Sequence, residues 1–194
     1  MFEKFSQYLQ DKAVFTIAEM NRIEAVSQIV SIAKNEVLMQ EGTPWIYNVF
    51  VCSGLMRSFT VDLYGNECTT GFSPENYWTG DRQSLLSGRP AQLSVDAIED
   101  SHLVLIKQDD FHDLNKTVDA FNIVMSGVIQ RNLIITKNAI NEKISFSEKE
   151  KYRNFLSKFE PVAHRIPHEM IASYIGTTPE ILTRIQGSIH DKQT

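Results

Sequence analysis

Residues 166–185 read IPHEMIASYIGTTPEILTRI, and this stretch decides the fold of the C-terminal part. Pro167 fits the first turn of a helix, where its missing N–H is not needed. Gly176 supplies a tight turn, and the Thr178-Pro179-Glu180 sequence is a strong helix start. Two short helices joined by a brief turn that contains Gly form a helix-turn-helix. The residues expected to face one another in it are Ile171, Ile175, Leu182 and Ile185.

The longest helical pattern lies upstream, over residues 111–144. An apolar stripe alternates spacings of three and four residues along Val118, Phe121, Met125, Val128, Asn132, Ile135 and Ala139. This is the heptad spacing of a coiled-coil seam, on which a single Asn fixes the register. The stripe predicts a dimer interface over Phe121, Met125, Val128, Asn132 and Ile135. The alternative is a helix that packs this stripe on its own β domain.

A sequence pattern typical of β-strands precedes this helix, over residues 35–107. Short runs of β-branched and aromatic residues alternate with Gly turns, as in Tyr47–Cys52, Leu55–Val61 and Cys68–Phe72. This pattern is typical of an antiparallel barrel or sandwich. Residues 1–33 have helical spacing, and a second helix is predicted over Ile17–Ile32, with Thr16 as its N-cap.

The whole arrangement resembles the Crp/Fnr family of transcription regulators, whose recognition helix begins Ser/Thr-x-Glu-x-x-x-Arg. Thr178, Glu180 and Arg184 match that motif. The resemblance implies an α+β protein. It would have an antiparallel β-roll (a jelly-roll-like, double-stranded β-helix) as sensor domain over residues 1–110, a dimerisation helix over 111–144 and an all-α helix-turn-helix domain over 145–194.

The resemblance assigns DNA contacts to Thr178, Glu180, Thr183 and Arg184. Glu180 and Arg184 are four residues apart and share one face of a helix. In a major groove, Arg pairs with guanine through two hydrogen bonds, and Glu accepts from the cytosine amino group. The alternative for this pair is a solvated ion pair on the helix surface.

Residues 76–91 are similar to the cassette that holds the phosphate in cyclic-nucleotide sensors. Those cassettes use Gly-Glu for the ribose and an Arg for the phosphate. Here Gly80-Asp81 stands in the first place, and Pro90-Ala91 stands where the Arg is expected. The candidate effector pocket therefore comprises Gly80, Asp81, Arg82 and Arg89, and a typical cyclic-nucleotide site is not expected. The alternative is a purely structural connection.

Composition excludes several other classes of function. The β region has one histidine, His102, so the ligand set of a metal enzyme on such a roll is missing. Cys52 and Cys68 are too few for an iron–sulfur cluster. We expect no catalytic residues, no metal and no cofactor. We also expect no membrane segment, because no apolar run approaches the ~20 residues of a spanning helix. The expected location is the cytoplasm.

The sequence thus predicts a regulator that binds a palindromic operator in double-stranded DNA as a homodimer, with a possible small-molecule effector that remains unidentified. One alternative is a β-roll sensor or interaction protein that has lost DNA binding, which the net charge of −5 favours. A cyclic-nucleotide-binding protein is another alternative.

Overall fold

A computed structural model describes residues 1–190, except for the side chains of residues 138–144 and 190. Ala139 of the predicted seam lies outside the described side chains. The chain divides into two compact units. The first comprises residues 1–61 and 70–130, and the second comprises residues 62–69 together with the chain from Arg131 onward.

Eight strands are found among the described residues, and they form two antiparallel four-stranded sheets. One sheet has the order β1-β8-β3-β6 and the other the order β2-β7-β4-β5. Their bounds are β1 Ser27–Ile32, β2 Val37–Met39, β3 Tyr47–Ser53, β4 Met56–Val61, β5 Glu67–Ser73, β6 Trp78–Thr79, β7 Ser94–Ala97 and β8 Ser101–Lys107. The two sheets make the expected antiparallel β-roll.

The N-terminal helices are shorter than the sequence predicts. They are α1 (Phe2–Gln10) and α2 (Ile17–Ala25). Thr16 is the N-cap of α2 as expected, and it forms a capping box with Glu19. The prediction that α2 continues to Ile32 is wrong, because Ser27–Ile32 form β1 and pair with β8 from Ser27↔Ile106 to Ile32↔Ser101. β-Branched residues at three of these six positions suit a strand, and β8 supplies the ladder.

Two apolar cores flank the first sheet. Inside the roll, residues from both sheets meet, among them Val49, Val51, Met56, Val95 and Leu103. The second core packs α1 and α2 and the helices after β8 against residues of β3 and β8. Phe5, Phe50 and Phe121 are fully buried there.

The predicted helix over 111–144 is two helices in the structure. They are α4 (Gln108–Thr117) and α5 (Asp119–Ser145). Val118 separates them with an extended backbone (φ −122°, ψ 98°), and Asp119 supplies an acid in the first turn of α5. None of the described helices is long and apolar enough to cross a membrane.

The second unit contains the helix-turn-helix. A helix α6 (Glu148–Phe159) is followed by a 3-10 turn over Ala163–Arg165. Two further helices follow, α7 (His168–Ile175) and α8 (Pro179–His190). The short helix α3 (Arg82–Ser87) belongs to the first unit.

Candidate functional site

The turn between α7 and α8 is closed in the way that the sequence predicts. Gly176 has a left-handed backbone (φ 77°), which glycine adopts without a steric cost. The amide of Thr177 donates to the carbonyl of Ala172 at 2.9 Å, and the amide of Gly176 donates to that of Ser173 at 3.1 Å. The apolar residues predicted to face one another are all buried: Ile171, Ile175, Leu182 and Ile185.

The four predicted DNA contacts lie together on the exposed surface of α8 and its N-terminus. Thr178, Glu180, Thr183 and Arg184 are all exposed. The Thr178 hydroxyl accepts the amide of Ile181 at 3.4 Å as the N-cap, whereas the Thr183 hydroxyl donates to the carbonyl of Pro179 at 3.0 Å. This surface therefore presents one carboxylate and one guanidinium to solvent, one helical turn apart.

The surroundings of the Glu180 carboxyl favour its charged form. A hydrogen bond from the Thr178 hydroxyl lowers the pKa of the Glu180 carboxyl, with further contributions from its own amide and from the charge of Arg184. A carboxylate that stays charged can accept a hydrogen bond from a base, but it repels phosphate. The arrangement suits contact with base edges in a groove better than contact with the backbone.

The charge of the helical module is close to balanced. Residues 145–190 contain six basic residues, Lys149, Lys151, Arg153, Lys158, Arg165 and Arg184, and five acidic ones, Glu148, Glu150, Glu160, Glu169 and Glu180. Two of the lysines are used within the module. Lys149 Nζ donates to Ser188 Oγ at 2.9 Å, and Lys158 Nζ donates to the Tyr174 hydroxyl at 3.3 Å.

Helix α6 supports α8 through an aromatic core and a polar chain. Tyr152, Phe155 and Phe159 are buried on its inner face. The amide nitrogen of Gln186 on α8 donates to the Tyr152 hydroxyl at 3.1 Å, and its amide oxygen lies 3.2 Å from His168 Nε2. These contacts hold α8 against the rest of the module along its length.

In the predicted effector cassette, Asp81 binds the protein's own backbone. It is the N-cap of α3, and Oδ1 accepts the amides of Gln83 at 2.8 Å and Ser84 at 3.0 Å. Its Oδ2 accepts the amide of Gln92 at 2.7 Å. Asp81 is 5% exposed, so both carboxylate oxygens are already used inside the fold.

Two of the other predicted pocket residues, Arg82 and Arg89, are exposed, whereas Asp81 is buried. Arg82 lines a shallow surface pocket with Gln83, Leu86 and Ser87. Ala91, which with Pro90 stands where a phosphate-binding Arg is expected, is buried in the core inside the roll.

Trp45, which was not predicted from the sequence, lies beside the cassette. Its indole lies so close to Gly80 that a Cβ there would be 2.9 Å from Nε1, and Gly80 has a φ of 121°. The Trp45 Nε1 and Thr79 Oγ1 atoms are buried without a hydrogen-bond partner among the described residues. An aromatic residue next to Pro44 in a turn gave no signal that it would pack against the cassette.

Part of the predicted dimer seam is buried within the single chain. Phe121 and Met125 are 0% and 3% exposed and lie in the core that α5 forms with β3 and β8, so their side chains already pack against the same chain. Val128 packs partly against the same core. Farther along α5, Asn132 is exposed and Ile135 is half-buried.

Two large apolar side chains of α5 are exposed on the face opposite Phe121 and Met125. Ile123 and Ile134 are each 63% exposed, and eleven residues, about three helical turns, separate them. Gly127 and Gln130 lie between them, and both are exposed. These four residues, which we call the outer stripe, are spaced by four, three and four residues.

Within the residues that the structure describes, no group of three or more His, Cys, Asp or Glu side chains is arranged to hold a metal ion.

Comparison with known proteins agrees with this geometry. Residues 29–118, just under half of the chain, match the family model of the cyclic nucleotide-binding domain. No curated protein matches the chain by sequence. Among solved structures, FixK2 from Bradyrhizobium japonicum is 20% identical with a TM-score of 0.74, over 87% of this chain and 86% of that one.

Two further solved structures are similar over nearly the whole chain. The c-di-GMP responsive global regulator CLP from Xanthomonas campestris is 12% identical, with a TM-score of 0.72 over 92% of this chain and 93% of that one. A transcriptional regulator of the Crp/Fnr family from Eubacterium rectale is 15% identical, with a TM-score of 0.65 over 92% and 85%. Residues 29–118 are therefore similar to the cyclic nucleotide-binding domain, and the chain has the fold seen in solved transcriptional regulators of the Crp/Fnr family.

Proposed function

We propose that this protein is a transcription regulator that binds a specific DNA sequence with α8. The observation that carries the proposal is the surface on which Glu180, Thr183 and Arg184 are exposed together, on the second helix of a helix-turn-helix. A helix presented in this way fits a major groove, where Arg and Glu distinguish bases. As a regulator of transcription, it would act in the cytoplasm and would not catalyse a reaction.

The proposed active form is a homodimer through the outer stripe. Two exposed isoleucines on one face of a helix are costly in water, and a second copy of the same face would bury them. Gly127, between them, allows a close approach of two helices. Two α8 helices related by twofold symmetry would then read two half-sites of a palindromic operator about 34 Å apart.

The proposed regulator does not use a cyclic nucleotide in the usual way. The carboxylate of Asp81 is occupied by three backbone amides, and Ala91 offers no cation to a buried phosphate. An effector of other chemistry remains part of the proposal, without an assigned pocket.

The decisive test is a gel-shift experiment with a pool of genomic fragments, followed by selection of the bound sequences. In the selected operator, Arg184→Ala should cost about 1–3 kcal/mol and relax the preference at one base pair in each half-site. Arg153→Ala is the matched control, since Arg153 is exposed on α6 and lies outside the proposed reading surface.

Arg153→Ala and Arg184→Ala should have different effects on the base preference. Arg153→Ala should leave the base preference unchanged, and any loss of affinity should be equal for all sequences and accompanied by a smaller salt dependence. Unchanged affinity and preference in Arg184→Ala would show that α8 does not read the bases. If no fragment binds even at low salt, the protein is a β-roll sensor without DNA binding, which the balanced charge of the module would then explain.

A further inference from the structure

One hydroxyl on α7 makes two hydrogen bonds to the hairpin of residues 62–69. The Ser173 hydroxyl accepts the amide of Thr69 at 2.9 Å and donates to the carbonyl of Glu67 at 3.2 Å. Ser173 lies three residues before Gly176, which makes the turn into α8. The contact therefore lies on the helix that directly precedes the proposed reading helix.

The hairpin is held in one conformation by its own turn. Asp62 Oδ1 accepts the amides of Tyr64 at 2.8 Å and Asn66 at 2.9 Å, and the carbonyl of Asp62 accepts the amide of Gly65 at 3.0 Å. These bonds lower the pKa of the Asp62 carboxyl, led by the side chain and then the amide of Asn66. The hairpin is thus a defined support for Ser173.

The chemistry of this contact favours serine. β5 is at the edge of its sheet, so one side of its backbone faces away from the ladder. Glu67 and Thr69 are two residues apart, so the carbonyl of Glu67 and the amide of Thr69 point to the same side. A hydroxyl both donates and accepts, so Ser173 satisfies one group of each kind.

The contact is buried on the side of Thr69, whereas Ser173 is half-buried and Glu67 is exposed. Thr69 is 5% exposed, and its own Oγ1 is buried without a partner among the described residues. A buried amide that loses its acceptor keeps the full cost of desolvation, because water cannot replace the bond. Loss of the Ser173 hydroxyl should therefore leave the Thr69 amide without its acceptor and less protected from hydrogen exchange.

We propose that Ser173 is a positioning residue for DNA recognition. It holds α7 on the hairpin, and α7 in turn holds α8 through the closed turn and through buried Leu182 and Ile185. Ser173 thereby sets the affinity for an operator without touching it. This inference rests on the proposed DNA binding.

The test compares Ser173→Ala with Ser173→Thr, which keeps the hydroxyl, in the full chain. Ser157→Ala on α6 is the control, because Ser157 is an exposed serine away from the hairpin. Two quantities are measured: hydrogen exchange at the Thr69 amide by NMR, and affinity for the operator selected with the wild-type protein. In Ser173→Ala we expect faster exchange at Thr69 and an affinity about tenfold lower, with the base preference unchanged.

Ser173→Thr and Ser157→Ala should behave like the wild type in both measurements. Unchanged exchange at Thr69 in Ser173→Ala would show that the contact is absent in solution and would overturn the proposal. Faster exchange in Ser173→Ala with unchanged affinity would show that Ser173 has only a structural role. Tighter DNA binding by Ser173→Ala would show that the contact restrains α8, and it would also overturn the proposal. If the wild type binds no DNA fragment, the proposed function fails, and this role fails with it, even where Thr69 exchange confirms the contact.

Discussion

At the scale of single residues, Asp81 shows that a carboxylate at a predicted ligand position can bind the protein's own backbone instead. Three backbone amides point at it, from both ends of the cassette segment. The resemblance to nucleotide sensors singled out the Gly80-Asp81 pair, but it could not show where the carboxylate points. That depends on Gln92, eleven residues farther along, whose amide is brought to Oδ2 by the path of the chain after α3.

The first prediction concerns the free energy of unfolding. Asp81→Ala removes an N-cap and leaves the amide of Gln92 without its acceptor, so we expect a loss of about 2–4 kcal/mol in urea denaturation. Asp109→Ala, at an exposed aspartate, should change the stability by no more than about 0.5 kcal/mol. Cyclic AMP at millimolar concentration should shift the melting temperature of neither the wild type nor Asp81→Ala.

Two results would contradict this account of Asp81. A variant as stable as the wild type would show that the three amides do not depend on the carboxylate. If cyclic AMP raised the melting temperature of the wild type but not that of an equally stable Asp81→Ala variant, Asp81 would instead be a ligand-binding residue.

At the scale of elements, α5 shows why an apolar stripe does not reveal its partner. The sequence gives α5 more than one apolar face, and heptad spacing describes the face of Phe121 and Met125 as well as the outer stripe. The first face is covered by α1, β3 and β8 of the same chain. Only this packing leaves Ile123 and Ile134 on the exposed face.

The second prediction is that the outer stripe holds the dimer together. Ile123→Asp combined with Ile134→Asp should give a monomer in sedimentation, because paired helices would bury four carboxylates in an apolar contact. Ile17→Asp is the matched control. Ile17 is 82% exposed at the start of α2, so its replacement should leave the mass of the dimer unchanged.

A dimeric mass for the double variant, with an unchanged circular dichroism spectrum, would refute the stripe as the interface. A monomeric wild type would refute the proposed homodimer itself.

At the scale of the whole molecule, the proposed function depends on two copies of α8 acting on one DNA duplex. Each copy presents a small reading surface, and a module with almost balanced charge gains little from phosphate attraction alone. Specific affinity must then come from the simultaneous binding of two half-sites, which raises the effective concentration of the second α8 at its site.

The third prediction tests this geometry. Inserting five base pairs at the centre of the selected operator turns one half-site to the opposite side of the duplex, since one turn takes about 10 base pairs. The affinity should fall by about 100-fold or more. Replacing the five central base pairs without changing the length should have a much smaller effect. Equal affinity for the lengthened operator would show that each copy binds independently.

Local signals in the sequence were sufficient for much of this protein. The capping box at Thr16, the Gly176 turn and the helix start at Thr178-Pro179-Glu180 each depend on neighbours within a few residues, and the structure has all three. The antiparallel β-roll was also predictable, because β-branched runs separated by glycine turns leave few other ways to bury their apolar residues.

Only the tertiary structure decided the features that depend on distant residues. Ser27–Ile32 become a strand because β8 offers a ladder some seventy residues away, and Asp81 turns inward because the chain after α3 returns to it. The outer face of α5 is defined by what covers its inner face. In each case the local pattern allows two outcomes, and hydrogen bonds and burial contributed from far along the chain select one.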